Sequence, residues 1–139
     1  MRDFRFIFAW MAASLAISLI ARVDAFSAVR DLTPNEAREL ALIVVDAQAK
    51  RLPGFGIGPD EDPRTPQFYR FIATWDNKNG SVVVGFFSVN RRTGDVWNPV
   101  ICKRIESDAL LRVQTNLRRR LKLTPEELED GRELSPCEN

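Results

Sequence analysis

Cys102 and Cys137 are the two side chains whose chemistry is easiest to foresee. The chain has no His, so neither thiol has an imidazole to activate it as a nucleophile. The same absence removes the Ser-His-Asp set and every histidine-bearing zinc motif. What two cysteines can still do is pair with each other. A Cys102–Cys137 disulfide would enclose residues 103–136. In the chain-entropy description such a loop is stabilised by about 3.5–4 kcal/mol.

Carboxylates are the other chemically capable groups. Two of them could perform acid–base work on a sugar, but no spacing selects a pair. Asp60-Glu61-Asp62 offers clustered oxygens to a hard cation. It lacks the alternating acids, central Gly and terminal Glu of a calcium-binding loop and reads as a solvated turn. Gly54, Gly56 and Gly58 follow a helix rather than a strand, so they do not form a phosphate cradle. Neither catalytic residues, a metal site nor a cofactor site is expected. In the same glycine-rich segment Phe55 and Ile57 have neighbours too small to shield them. If they project outward they form a contact surface for a partner, and if they fold inward they plug the core.

The amino terminus sets the compartment. Arg2 and Arg5 precede an uncharged run from Phe6 to Ala21, and Val23-Asp24-Ala25 follows. That is the layout of a signal peptide, with cleavage expected near Ala25. The run between Arg5 and Arg22 falls short of the ~20 apolar residues of a spanning helix, so membrane attachment is expected only if the segment stays uncleaved. A secreted or periplasmic chain of residues 26–139 remains, enough for one domain. Removing Arg2, Arg5, Arg22, Asp3 and Asp24 from 20 basic and 19 acidic side chains leaves 17 of each. A nucleic-acid binder would carry a basic surplus, so nucleic acid is not an expected partner. The basic residues of 103–122 face an acidic stretch from 123 to 139, and these opposite signs are expected to satisfy each other locally or at the helix ends.

These groups must be carried by an α+β frame. Thr33-Pro34-Asn35-Glu36 is a capping box that opens a helix running to about Leu52, where Pro53 and Gly54 stop it. Residues 53–66 read as a loop. Strands follow at Gln67–Trp75 and Ser81–Val89, joined by a hairpin turn at Asp76-Asn77-Lys78-Asn79-Gly80, whose Asn-Gly tolerates positive φ. Asp95-Val96-Trp97 begins a third strand, bent at Asn98-Pro99 and continuing through Val100 to Ile105. Helices follow from Ser107 to about Lys122 and from Thr124 onward. The expected sheet is antiparallel with three or four strands. Because Ser81–Val89 is apolar on both faces, helices are expected on both sides, the second shielding the face that the first leaves open.

A helix followed by hairpin strands that close on Val89-Asn90-Arg91-Arg92-Thr93-Gly94-Asp95-Val96-Trp97 resembles the PepSY-like families of small extracytoplasmic domains. Those families often carry a Val-Asp-x-x-Thr-Gly-x-Val stretch, and Asn90 stands here where Asp is usual. The resemblance spans residues 34–97 and implies a domain that binds or inhibits other proteins, notably peptidases. Ser81-Val82-Val83-Val84-Gly85 with Trp97 is similar to segments of the cystatins, but the Gln is absent and Pro99 follows the Trp instead of preceding it. Small exported immunity proteins, which neutralise toxins, share comparable helix-plus-sheet layouts. The expectation is a non-catalytic, exported protein-binding module, an inhibitor or modulator of another extracytoplasmic protein. The alternatives are a toxin-neutralising immunity-type protein and a carboxylate-dependent envelope enzyme.

Overall fold

The computed structural model describes residues 31–60 and 62–137. The expected signal peptide lies outside the described residues. Helix α1 spans Pro34–Val44. Both halves of its capping box are made, since the Thr33 hydroxyl accepts from the Glu36 N–H and the Glu36 carboxylate accepts from the Thr33 N–H. The helix ends about eight residues before the expected Leu52. The β-branched run Ile43-Val44-Val45 weakens helical preference, and Asp46 then accepts from the N–H groups of Gln48 and Ala49 at 2.7 and 3.1 Å. That local competition replaces further α-helix with a short 3-10 turn, Ala49–Arg51. Lys50 caps the broken end by donating to the Leu42 carbonyl at 3.1 Å.

Five strands follow, one or two more than expected: β1 Phe55–Pro59, β2 Phe68–Asn77, β3 Gly80–Asn90, β4 Val96–Asn98 and β5 Lys103–Ile105. They form one antiparallel meander in the order β1-β2-β3-β4-β5. The additional strand is β1, which the sequence presents as loop because of its glycines. Its pairing with Phe71–Trp75 of β2 keeps the two-residue period, with Ile57 opposite Ala73 on the core side and Gly56 and Gly58 on the other. The register shift between Ala73 and Thr74 is a bulge that adds Val84 to β3.

Helices α2 (Asp108–Leu121) and α3 (Pro125–Glu133) complete the domain. Leu40, Ala37 and Ala41 of α1 join Leu110, Leu117 and Leu121 of α2 in one buried cluster with Ile57, Phe71, Ala73, Phe87, Val89 and Val96. Both helices therefore lie on the same sheet face, contrary to the expected one on each side. The second face carries Phe68, Arg70, Ser88, Asn90 and Trp97. Its covering is α3 and the tail behind it. The Gly131 carbonyl accepts from the Asn90 amide, and a Cβ at Gly131 would lie 2.1 Å from Thr93 Cγ2, so only glycine allows this approach. Farther along, Val82 and Val83 stay about half exposed. The two-sided apolar pattern of β3 thus has cover at one end only.

Among the described residues, the long-range ion pairs of the two charge runs reach other elements rather than each other. Arg118 and Arg120 of α2 reach back to Asp95 and Glu36, while Glu127 of α3 pairs with Arg92. At the start of β2, Arg70 pairs with Asp60 and Asp62. Hydrogen bonds from the Arg64 side chain and N–H hold the Asp62 carboxyl well below the usual carboxylate range, and the Arg64 and Arg70 charges add to this. Glu127 is lowered by the Thr124 N–H first and by Arg92 second. Because both folded values are depressed, their stabilisation is complete above the ordinary values of 3.8 and 4.5 and is lost as pH falls through the lower folded ones. The melting temperature is expected to stay flat down to roughly pH 5 and to fall in stronger acid. A D62N/E127Q variant should start lower at pH 7 and lose less on acidification. An acid slope identical to that of the parent would contradict the assignment.

Candidate protein-contact surface

Pro99-Val100-Ile101-Cys102 forms the tip between β4 and β5. Its shape follows from three choices of residue, at positions 98, 99 and 102. The Asn98 side chain accepts from the N–H groups of Val100 and Ile101 at 3.0 and 3.4 Å, an Asx turn. Pro99 fixes its own φ at the first turn position. Cys102 then closes the tip with φ +49°, a left-handed conformation that disfavours a residue bearing Cβ by about 1–2 kcal/mol. Val100 and Ile101 are left 68% and 64% exposed, the highest values among the large apolar side chains described. Two β-branched side chains on a turn held by side-chain hydrogen bonds present a stiff apolar knob.

The two cysteines meet beneath this knob. The Cys102 and Cys137 thiols both point at the Pro99 carbonyl, at 3.8 and 3.5 Å. Both are free thiols in this structure. The hydrogen bond to Cys137 pushes the Cys102 thiol above its ordinary pKa, with a smaller contribution from desolvation. The fold thus brings together the pair that the sequence singles out.

The structure does not give Phe55 and Ile57 the role of an exposed contact pair. Ile57 is 7% exposed within the core and Phe55 is half-buried against it. Strand pairing turns both side chains inward, and Gly56 and Gly58 take the open side.

A charged cleft of about 380 Å³ lies between β5 and α2, lined by Asp95, Arg104, Glu106, Asp108, Gln114 and Arg118. Asp95 is committed there to structure: it accepts from Arg118 at 2.8 Å and from the Thr93 hydroxyl at 2.6 Å. Glu106 accepts from Arg104 at 2.7 Å. Two of the three carboxylates are therefore held by guanidinium groups. Among the described residues no group of three or more His, Cys, Asp or Glu is placed to hold a metal ion.

Sequence reasoning missed the tip because Val100 to Ile105 reads as a strand resuming after a bend. The usable signal was Asn-Pro followed, after two apolar residues, by Cys, which is a turn with a covalent-capable foot.

No protein-family model matches the chain, and no curated protein matches it. Among solved structures it is similar to one chain of a type VI secretion system effector–immunity complex from Pseudomonas protegens. The two share 26% identity over 78% of this chain and 92% of that one, with a TM-score of 0.63.

Proposed function

We propose that this chain is an immunity-type protein that binds a toxic effector protein and neutralises it, without catalysis of its own. The observation that carries the reading is the similarity, in sequence and fold together, to nearly the whole of a chain found in an effector–immunity complex. This favours toxin neutralisation over a general inhibitor or modulator. The Val100–Ile101 knob supplies a surface suited to it, since stiff exposed apolar groups lose little entropy when they enter a partner's pocket. The ion-paired carboxylates of the charged cleft suit a binding protein better than an acid–base catalyst. The signal-peptide layout expected from Arg2 to Ala25 supports an encounter outside the cytoplasm.

Affinity capture tests this reading. The tagged chain, expressed in its own cells, is expected to retain one polypeptide in stoichiometric amount, identified by mass spectrometry and toxic when produced alone in a fresh host. Capture of no stoichiometric partner, or of one that is harmless on its own, would contradict the proposal.

A further inference from the structure

We propose that Cys102 and Cys137 form a disulfide clip that straps the carboxyl-terminal tail across the second sheet face and fixes the Val100–Ile101 tip. The path of the tail carries the argument. From Gly131, bonded to Asn90, it passes Leu134, which shares a cavity with Gln67 and Asn90. It then reaches Pro136 and Cys137, which line a second cavity with Thr65, Arg70, Pro99 and Cys102. The tail therefore runs over the row in which Arg70, Ser88 and Trp97 stand side by side. Apart from the Asn90 bond, the contacts described for it near the tip are a Ser135 hydroxyl accepting from the Cys137 N–H and the weak thiol bond to Pro99. Non-covalent ties of that kind are slight for a strap over a buried face. Ser88 is nevertheless fully buried. A covalent tie between two thiols already on the same carbonyl oxygen accounts for the arrangement. It also gives a reason for cysteine at the left-handed position of the turn, where glycine would be easier.

Oxidation requires an acceptor, taken here as a small-molecule or protein disulfide. One cysteine thiolate attacks a sulfur of that disulfide, forming a mixed disulfide and releasing one thiolate. The second cysteine thiolate then attacks the bound cysteine sulfur, closing the bridge and releasing the other thiolate. The two cysteines lose two electrons and two protons, and the acceptor leaves as two thiols.

The full chain is incubated under native conditions with oxidised glutathione, then analysed by intact mass and maleimide labelling. The expected product has lost two hydrogens, carries no glutathione and takes up no maleimide. Its melting temperature is expected to exceed that of the same sample in dithiothreitol by on the order of 10 °C. C102S and C137S should each show no such difference between oxidised and reduced samples. Glutathione retained on both cysteines, two thiols still open to maleimide, or a bridge with no thermal effect would overturn the clip. The consequence for binding rests on the partner reading above: the oxidised chain is expected to release its captured partner at least about 10-fold more slowly than the reduced chain. Equal rates would remove the role of the clip in presenting the tip. Failure of either form to bind would sink the immunity reading and leave the bridge standing.

Discussion

Asp95→Ala is expected to lower the unfolding free energy by about 3–5 kcal/mol, the largest single-residue effect on stability anticipated for this fold. Asp95 and Arg118 are 8% and 12% exposed, so their charges meet almost out of water. Removing the carboxylate leaves a buried guanidinium whose remaining described partner is the Thr93 carbonyl, at 2.8 Å. It also takes away the acceptor of the Thr93 hydroxyl proton, in a side chain that is wholly buried. The consequence extends beyond the pair. Thr93 and Gly94 belong to the turn between β3 and β4, which Gln114 of α2 also grips through the Gly94 carbonyl. Loosening that turn loosens the docking of α2 onto the sheet and the packing of Gly131 against Thr93. Urea unfolding measures the loss. An Asp95→Leu, Arg118→Met double variant should recover a substantial part of it, because replacing both charges by apolar groups removes the uncompensated one. A single variant within about 1 kcal/mol of the parent would show that the pair does not anchor the turn.

Val100→Asp, Ile101→Asp is expected to weaken the complex with the captured partner by at least about 30-fold while leaving the melting temperature unchanged. Central apolar anchors at protein interfaces are commonly worth 2 kcal/mol or more, and a carboxylate driven into an apolar pocket adds its desolvation. The fold should tolerate both changes because the side chains are more than half exposed and the turn is set by Asn98, Pro99 and Cys102 rather than by them. Titration calorimetry or surface capture against the partner reads the affinity. Unaltered affinity with a folded variant would move the contact surface elsewhere, and the charged cleft would then be the first place to look.

The sequence displayed the elements whose signals are local. Both capping boxes, a hairpin turn within Asp76–Gly80 (closed at Lys78-Asn79, with Gly80 already opposite Asn77) and the start of α2 at Ser107 and Asp108 are found where residue chemistry places them. The features it concealed depend on partners distant along the chain. β1 is a strand only because β2 offers it a ladder, and Gly56 and Gly58 argue against a strand when read alone. Helix α1 stops at Val44 because the Asp46 carboxylate captures two N–H groups, a competition that apolar periodicity does not register. The placement of α1 and α2 on one face follows from three-dimensional packing at Gly94, where a Cβ would meet Leu40, Leu117 and Leu32. In the candidate surface, the convergence of Cys102 and Cys137 was legible from their number and the absence of His. The knob above them was not, because Val100-Ile101 has the composition of a strand.

Growth of a host producing the captured partner, with and without the chain, decides whether this chain silences a toxic partner by binding it, as proposed. The partner alone is expected to halt growth, and co-production of the chain to restore it, with the Val100→Asp, Ile101→Asp variant protecting far less. Arrest that persists while both intact proteins accumulate in the same compartment would contradict the claim.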